Sequence, residues 1–175
     1  MIALGMGSDS NYEAVQNICL DRKMVECVQN SLEDQLADNP TNLDALKKLG
    51  KLHYQTKNYA DALDTFNTYF TNKGDDLLTA YYFAKTLSLE GETEQAIQYF
   101  EFVLESKPDV LQVTVTETYM DMLMAANKLE AAKKLADSVE ARTEKIPGTL
   151  LAKFSKVEEA LNCLLYTSPS PRDRG

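Results

Sequence analysis

Apolar positions recur at spacings of three and four along most of the chain. From Leu43 a first run puts Leu43, Leu46, Leu49, Gly50 and His53 on one face, and a second does the same with Tyr59, Ala62, Leu63, Phe66 and Phe70. That is the period of an amphipathic helix, not the alternation of a strand. The next runs are Ala80, Phe83, Ala84 and Leu87, then Ala96, Ile97, Phe100 and Leu104. Lys57-Asn58 and Glu90-Gly91-Glu92 interrupt the stripes as tight turns. Asn39-Pro40-Thr41 and Lys107-Pro108-Asp109 end helices, with Thr41 and Asp109 placed to cap the helices that follow. The pattern predicts short antiparallel helix pairs with breaks near 57–58, 73–76, 91–92, 107–109, 127–128 and 147–148. Val113-Thr114-Val115-Thr116 is β-branched and could form a strand locally. The helical spacing of Tyr119, Met120 and Leu123 behind it predicts helix instead.

The helix pairs repeat. Leu43–Asp76 superposes on Leu77–Val110 at an offset of 34 residues. Leu49-Gly50 falls on Phe83-Ala84, Ala62-Leu63 on Ala96-Ile97, and Phe66 on Phe100. A third copy runs from Val113 to Ile146, 36 residues after the second, with Tyr119-Met120 and Ala132 in the same slots. Small residues at Gly50, Ala84, Ala62, Ala96 and Ala132 allow close helix crossings, and Phe66 and Phe100 fill the space between pairs. A repeat of this length, each unit unable to bury its apolar face alone, implies an array.

This pattern resembles the tetratricopeptide repeat (TPR). That family has a 34-residue unit with Leu-Gly in helix A, Ala and an aromatic in helix B, and Pro near the end. Leu49-Gly50, Ala62 and Phe66 fit the first copy, and Ala84, Ala96, Phe100 and Pro108 the second. Gly74 stands in the Pro slot of copy one, Ala136 replaces the aromatic in copy three, and the family's early Trp is absent. Arg22–Asn42 resembles a further helix B and its exit. Thr149–Asn162 resembles a helix A cut before its partner. The resemblance implies an all-α, right-handed helical-hairpin solenoid over 11–162. It has about three full repeats (43–76, 77–110 and 113–146) plus partial flanking helices, after a disordered N-terminus at 1–10.

It also implies a groove lined by the inner faces of the A helices, where TPR proteins bind peptide segments. The matching register puts Asp44, Lys47, Lys51, Tyr54 and Gln55 there from copy one. Copy two adds Leu78, Tyr81, Lys85, Ser88 and Leu89, and copy three Thr114, Glu117, Asp121 and Met124. Lys47, Lys51 and Lys85 form a basic cluster, and Glu117 and Asp121 an acidic end. The expected partner is a protein or peptide with an acidic segment. The alternative is that these are ordinary solvated helix faces. In the family's chaperone-docking members a Lys/Asn/Arg clamp holds a carboxylate. Here Lys47 matches its first Lys, Lys51 and Lys85 occupy Asn slots, and Glu117 and Asp121 reverse the charge of the last two, so that clamp is not expected.

Charge narrows the classes further. With 18 Lys+Arg against 27 Asp+Glu, the net charge of −9 opposes phosphate-backbone binding and adsorption to anionic membranes. Neither nucleic acid nor membrane insertion is expected. Cys19, Cys27 and Cys163 are odd in number and irregular in spacing, which predicts no disulfide framework and, as unpaired thiols, leans towards a reducing cytoplasm. His53 is the only histidine and sits in a packing slot, so no metal or cofactor site is expected. No phosphate loop or nucleophile elbow is present, and the chain is not expected to be an enzyme.

Residues Cys163–Asp173 break the pattern. They match the in-frame translation of a transposase sequencing adaptor, residue for residue, and 163–175 is expected to be a non-native disordered tail. Composition alone would allow an ordinary Ser/Pro-rich tail. Two functions stay open: an interaction adaptor that uses the groove, and a structural spacer or self-associating segment of a larger protein.

Overall fold

The computed structural model describes residues 9–106 and 112–167. Among them are nine helices and no strand. They are α1 (Asp9–Asp21), α2 (Val25–Asp38), α3 (Leu43–Gln55), α4 (Tyr59–Thr71), α5 (Leu77–Leu89), α6 (Thr93–Ser106), α7 (Gln112–Ala125), α8 (Leu129–Arg142) and α9 (Gly148–Thr167). The β-branched stretch at 113–116 is helical, inside α7. The architecture is that of an all-α helical-repeat solenoid. The chain divides into two compact units, Met1–Tyr99 and Phe100–Gly175, with the boundary inside α6.

In the first unit four turns share one device. Two residues after the ends of α1, α3, α4 and α5 the backbone is left-handed, at Lys23 (φ 55°), Lys57 (φ 63°), Lys73 (φ 65°) and Gly91 (φ 86°). The next amide then reaches back to a carbonyl of the last turn, as in Asn58 N–H to His53 O (2.9 Å) and Glu92 N–H to Leu87 O (2.9 Å). This satisfies carbonyls left open at a helix end. Only Gly91 adopts that backbone without a side-chain penalty.

Helix starts are capped by Asn42, whose side chain accepts from the Ala45 amide at 3.1 Å, and by Asp76, which accepts from the Thr79 amide at 2.8 Å. The expected cap Thr41 is one residue early; its hydroxyl donates to Asn39 instead (3.0 Å). The other expected cap, Asp109, lies outside the described residues.

The core of this unit is aromatic. Phe66 and Phe83 are fully buried with ring centroids 5.8 Å apart. Phe83 stacks on Phe70 (5.4 Å) and meets Tyr99 edge-on (4.6 Å). Gly50 is required here, because a Cβ would lie 2.5 Å from Phe66 Cε1. Ala62, Ala80, Ala84 and Ala96 have no exposed surface, as close crossings demand. Gly74, in the Pro slot, faces Tyr69, whose ring occupies the space a Cβ would take.

The N-terminal hairpin carries two corrections. A full helix, α1, pairs with α2, where only a helix B was expected; its first residues, Asp9 and Ser10, fall in the stretch expected to be disordered. Cys19 and Cys27 are not unpaired: they form a disulfide across the α1–α2 turn, with Cα atoms 5.7 Å apart. A spacing of eight carries no known motif, but a hairpin turn folds it back on itself. The cysteine argument for a reducing compartment falls with it. Cys19 packs with Val28, Leu32, Ala45 and Leu49, so the bond lies in the core. Behind it Gln16 donates to Gln35 (3.0 Å) and Gln35 donates to Asp9 (2.9 Å). Tyr12 donates to an Asp38 carboxylate oxygen at 2.5 Å.

In the second unit, Phe100 stacks on Tyr119 at 5.1 Å, and Val115, Met120, Leu123, Leu150, Phe154 and Val157 are buried. Asn127 (φ 55°) closes the α7–α8 turn in the same left-handed manner. The helix α9 runs on to Thr167, so the first residues of the expected disordered tail are helical. The rest of that tail, from 168, lies outside the described residues, as do 1–8. Among the described residues, no helix is long and apolar enough to cross a membrane.

Candidate functional site

The A helices of the first unit, α3 and α5, pack side by side and place most of the expected groove residues together. Lys85 is the centre of a small aromatic cage: its ammonium lies 5.2 Å from the Tyr54 ring centroid and 5.3 Å from that of Tyr81. Lys51 lies 5.3 Å over Tyr82. Tyr54 meets Tyr82 edge-on at 5.2 Å, which joins the two lysine sites into one network. Such contacts are worth about 0.5–1 kcal/mol each when exposed. Burial alone would lower the Lys85 pKa, but the Tyr54 and Tyr81 hydroxyls and their charge interactions outweigh it and raise it. Lys85 therefore stays an ammonium ion at neutral pH. Neither Lys51 nor Lys85 has a carboxylate partner among the described residues.

The other basic residues are partly engaged. Asp44 pairs with Lys48 at 2.5 Å and with Lys47 at 3.7 Å, all three side chains being well exposed. Lys48 was missed in the sequence because the A-helix register puts it beside the groove rather than in it. Tyr82 was missed for the same reason, and Tyr81, expected to line the groove, is 7% exposed and buried. Tyr82 is half-buried and supplies the accessible ring. Ser88 is half-buried; Gln55, Leu78 and Leu89 are exposed.

Two hollows flank these lysines. One, of about 200 Å³, is lined by Lys47, Lys48, Lys51, Phe66, Asp76, Leu78, Thr79 and Tyr82. The other, of about 500 Å³, lies between α1, α2 and α3. Leu20, Val28, Leu32 and Leu52 give it an apolar floor, with Glu13, Gln16, Asn17, Gln55, Lys48 and Lys51 around it. Lys48 and Lys51 line both. The larger hollow could not be read from the repeat, because the sequence pattern did not show α1.

The remaining groove residues belong to the second unit. Glu117 accepts from the Thr149 hydroxyl, and Asp121 is paired with Lys153, both partners coming from α9. The acidic end on α7 is thus bound by the chain's own α9. Thr114 is exposed and Met124 half-buried. His53 is 5% exposed with no hydrogen-bond partner for Nδ1, the position of a packing residue. Among the described residues there is no cluster of His, Cys, Asp and Glu that could hold a metal ion.

No protein-family model and no curated protein matches the chain. Solved structures do. A MamA from Desulfovibrio magneticus RS-1 superposes with a TM-score of 0.66 at 17% identity, over 94% of this chain and 99% of that one. A tetratricopeptide repeat protein from Parabacteroides merdae gives 0.65 at 14% identity, over 91% and 68%. An O-GlcNAc transferase variant from Thermobaculum terrenum gives 0.61 at 19%, over 85% of this chain but only 29% of that one. Likeness at these identities is a likeness of fold, and with the 34-residue repeat, the Gly50–Phe66 crossing and the paired helices it gives this chain a TPR-like helical-repeat fold.

Proposed function

We propose that the chain is a protein-interaction module that holds a peptide segment of a partner against the α3–α5 face. The observation that carries this reading is the Lys51–Tyr82 and Lys85–Tyr54–Tyr81 network. Two cations are held in place by rings and left without carboxylates, in a protein of net charge −9. By contrast Lys133 pairs with Asp137 (3.1 Å) and Lys48 with Asp44. Prepositioned cations attract an acidic segment and fix its place. The acidic balance weighs against nucleic acid as that partner. The reading assigns no catalytic role. A TPR-like region within a longer enzyme, as the partial coverage of the transferase illustrates, is compatible with it.

The test is capture of partners from the source organism with the wild-type chain and with Lys47→Glu/Lys51→Glu/Lys85→Glu. Loss of the captured set by a triple variant that keeps its helical circular dichroism supports the reading. Unchanged capture removes the basic face from the account.

One observation favours a second reading, self-association. Ile18, Leu20, Met24 and Val25 are each about half exposed around the α1–α2 turn (53, 58, 51 and 47%). Clustered apolar side chains of this kind mark contact surfaces. Sedimentation at increasing concentration separates the readings: a monomer that still captures partners favours the adaptor.

A further inference from the structure

The two hollows and the lysines between them form one continuous surface, and their order restricts what can lie across it. The larger hollow is apolar at its floor through Leu20, Val28, Leu32 and Leu52. Its volume of about 500 Å³ is within the range of sites that hold a ligand group. The smaller offers the exposed Leu78 and the half-buried ring of Tyr82. Lys48 and Lys51 stand in both walls, and so at the divide between them. Each hollow also holds a carboxylate: Glu13 lines the larger and Asp76 the smaller. Asp76 is fixed there, because it accepts from the Thr79 amide and hydroxyl at 2.8 and 2.7 Å.

We infer that this surface reads a peptide in which an acidic residue lies between two apolar side chains, the acid over Lys51 and one apolar side chain in each hollow. This inference rests on the groove reading above and names its ligand. Lys51, which has no carboxylate partner among the described residues, supplies the attraction where the two hollows meet, and Glu13 in the larger and Asp76 in the smaller disfavour a carboxylate seated beside them. The apolar groups supply most of the affinity, since exposed charge pairs contribute little. Lys51 is well suited to the centre: its contact with Tyr82 restrains the side chain before a ligand arrives.

The experiment uses the full 175-residue chain and fluorescein-labelled synthetic peptides, capped at both ends and read by anisotropy. The parent peptide carries two adjacent acidic residues flanked on each side by leucine, within a Gly/Ser frame. Three relatives replace the leucines by serine, move the acids outside the leucines, or replace the acids by lysine. The parent is expected to bind, with each leucine-to-serine change weakening it about tenfold, the effect of losing one buried aliphatic group. The displaced-acid and lysine peptides should bind still more weakly.

Leu20→Asp and Leu78→Asp probe the hollows from the protein side. Both residues are exposed (58 and 39%), so the variants should keep the fold, checked by circular dichroism. Each should weaken the parent about tenfold and leave the serine peptide unaffected at that position. Equal binding of parent and serine peptides overturns the inference, as does indifference to Leu20→Asp and Leu78→Asp. Failure of the parent to bind also overturns it. In each of these cases the groove reading stands if partner capture still depends on Lys47, Lys51 and Lys85, and falls if it does not.

Discussion

Replacing Gly50 by alanine tests the packing on which the α3–α5 face is built. In an exposed helix this change is favourable by about 1 kcal/mol, because glycine is the poorer helix former. Here the added methyl would sit 2.5, 2.7 and 3.1 Å from Cε1, Cδ1 and Cζ of Phe66. The ring has no surface exposed and lies against Phe83, with centroids 5.8 Å apart, so it cannot swing clear without moving a second ring. Overpacking costs about 1–3 kcal/mol, and contacts this short put it near the upper end. The net expectation is a loss of about 2 kcal/mol. Urea unfolding followed by circular dichroism measures it. Phe66→Leu gives the second arm of a double-mutant cycle: it opens the space that the methyl needs. The pair should therefore be less destabilised than the sum of the singles, by about 1–2 kcal/mol. A Gly50→Ala chain as stable as wild type, or strictly additive losses, would refute the reasoning.

Phe100→Ala should cost about 3–5 kcal/mol by the same urea assay, since Phe100 is fully buried and stacked on Tyr119. Lys57→Gly should stabilise by about 0.5–1 kcal/mol, because an exposed lysine there holds a left-handed backbone (φ 63°) that glycine adopts freely. Reducing the Cys19–Cys27 bond, which closes a short loop with a separation of 8, should lower stability by about 2–3 kcal/mol, and thiol titration should count two more thiols afterwards. The hydrogen bond to Asp38, then burial, raises the Tyr12 phenol from 10.0 to about 12. A raised pKa stabilises the fold below pH 10, and that contribution is lost as the pH rises towards 12. Tyr12→Phe should remove this alkaline dependence from a pH series of unfolding curves.

The helices were legible because burial imposes a 3.6-residue period that Ala62, Phe66, Ala96 and Phe100 display openly. The interhelix turns were less so. Lys23, Lys57, Lys73 and Asn127 do the work usually signalled by glycine, and nothing in their chemistry announces a left-handed backbone. The α1 helix was hidden because Val15, Ile18 and Leu20 lie on exposed positions while Gln16 is buried, inverting the usual polarity. The disulfide was hidden for a related reason: without α1 there was no hairpin to bring Cys19 to Cys27. In the candidate site, Lys51, Lys85 and Tyr54 followed from register. Tyr82 and Lys48 did not, since a side chain one position off the register still reaches the groove rim when it is long. Glu117 and Asp121 were placed by register as well, but no repeat pattern shows that α9 would supply Thr149 and Lys153 to them.

The central claim is that the partner lies on the α3–α5 face. Site-specific photocrosslinking in the source organism tests it most directly. A benzophenone amino acid is placed at Leu78, which is 39% exposed and lines the smaller hollow, and separately at Asp64, an exposed residue on α4. The account predicts that a discrete adduct with a second protein forms from position 78 and not from position 64, and that Lys51→Glu/Lys85→Glu in the same chain removes it. Adducts from position 64 alone, or an adduct from position 78 that survives the loss of both lysines, would contradict it.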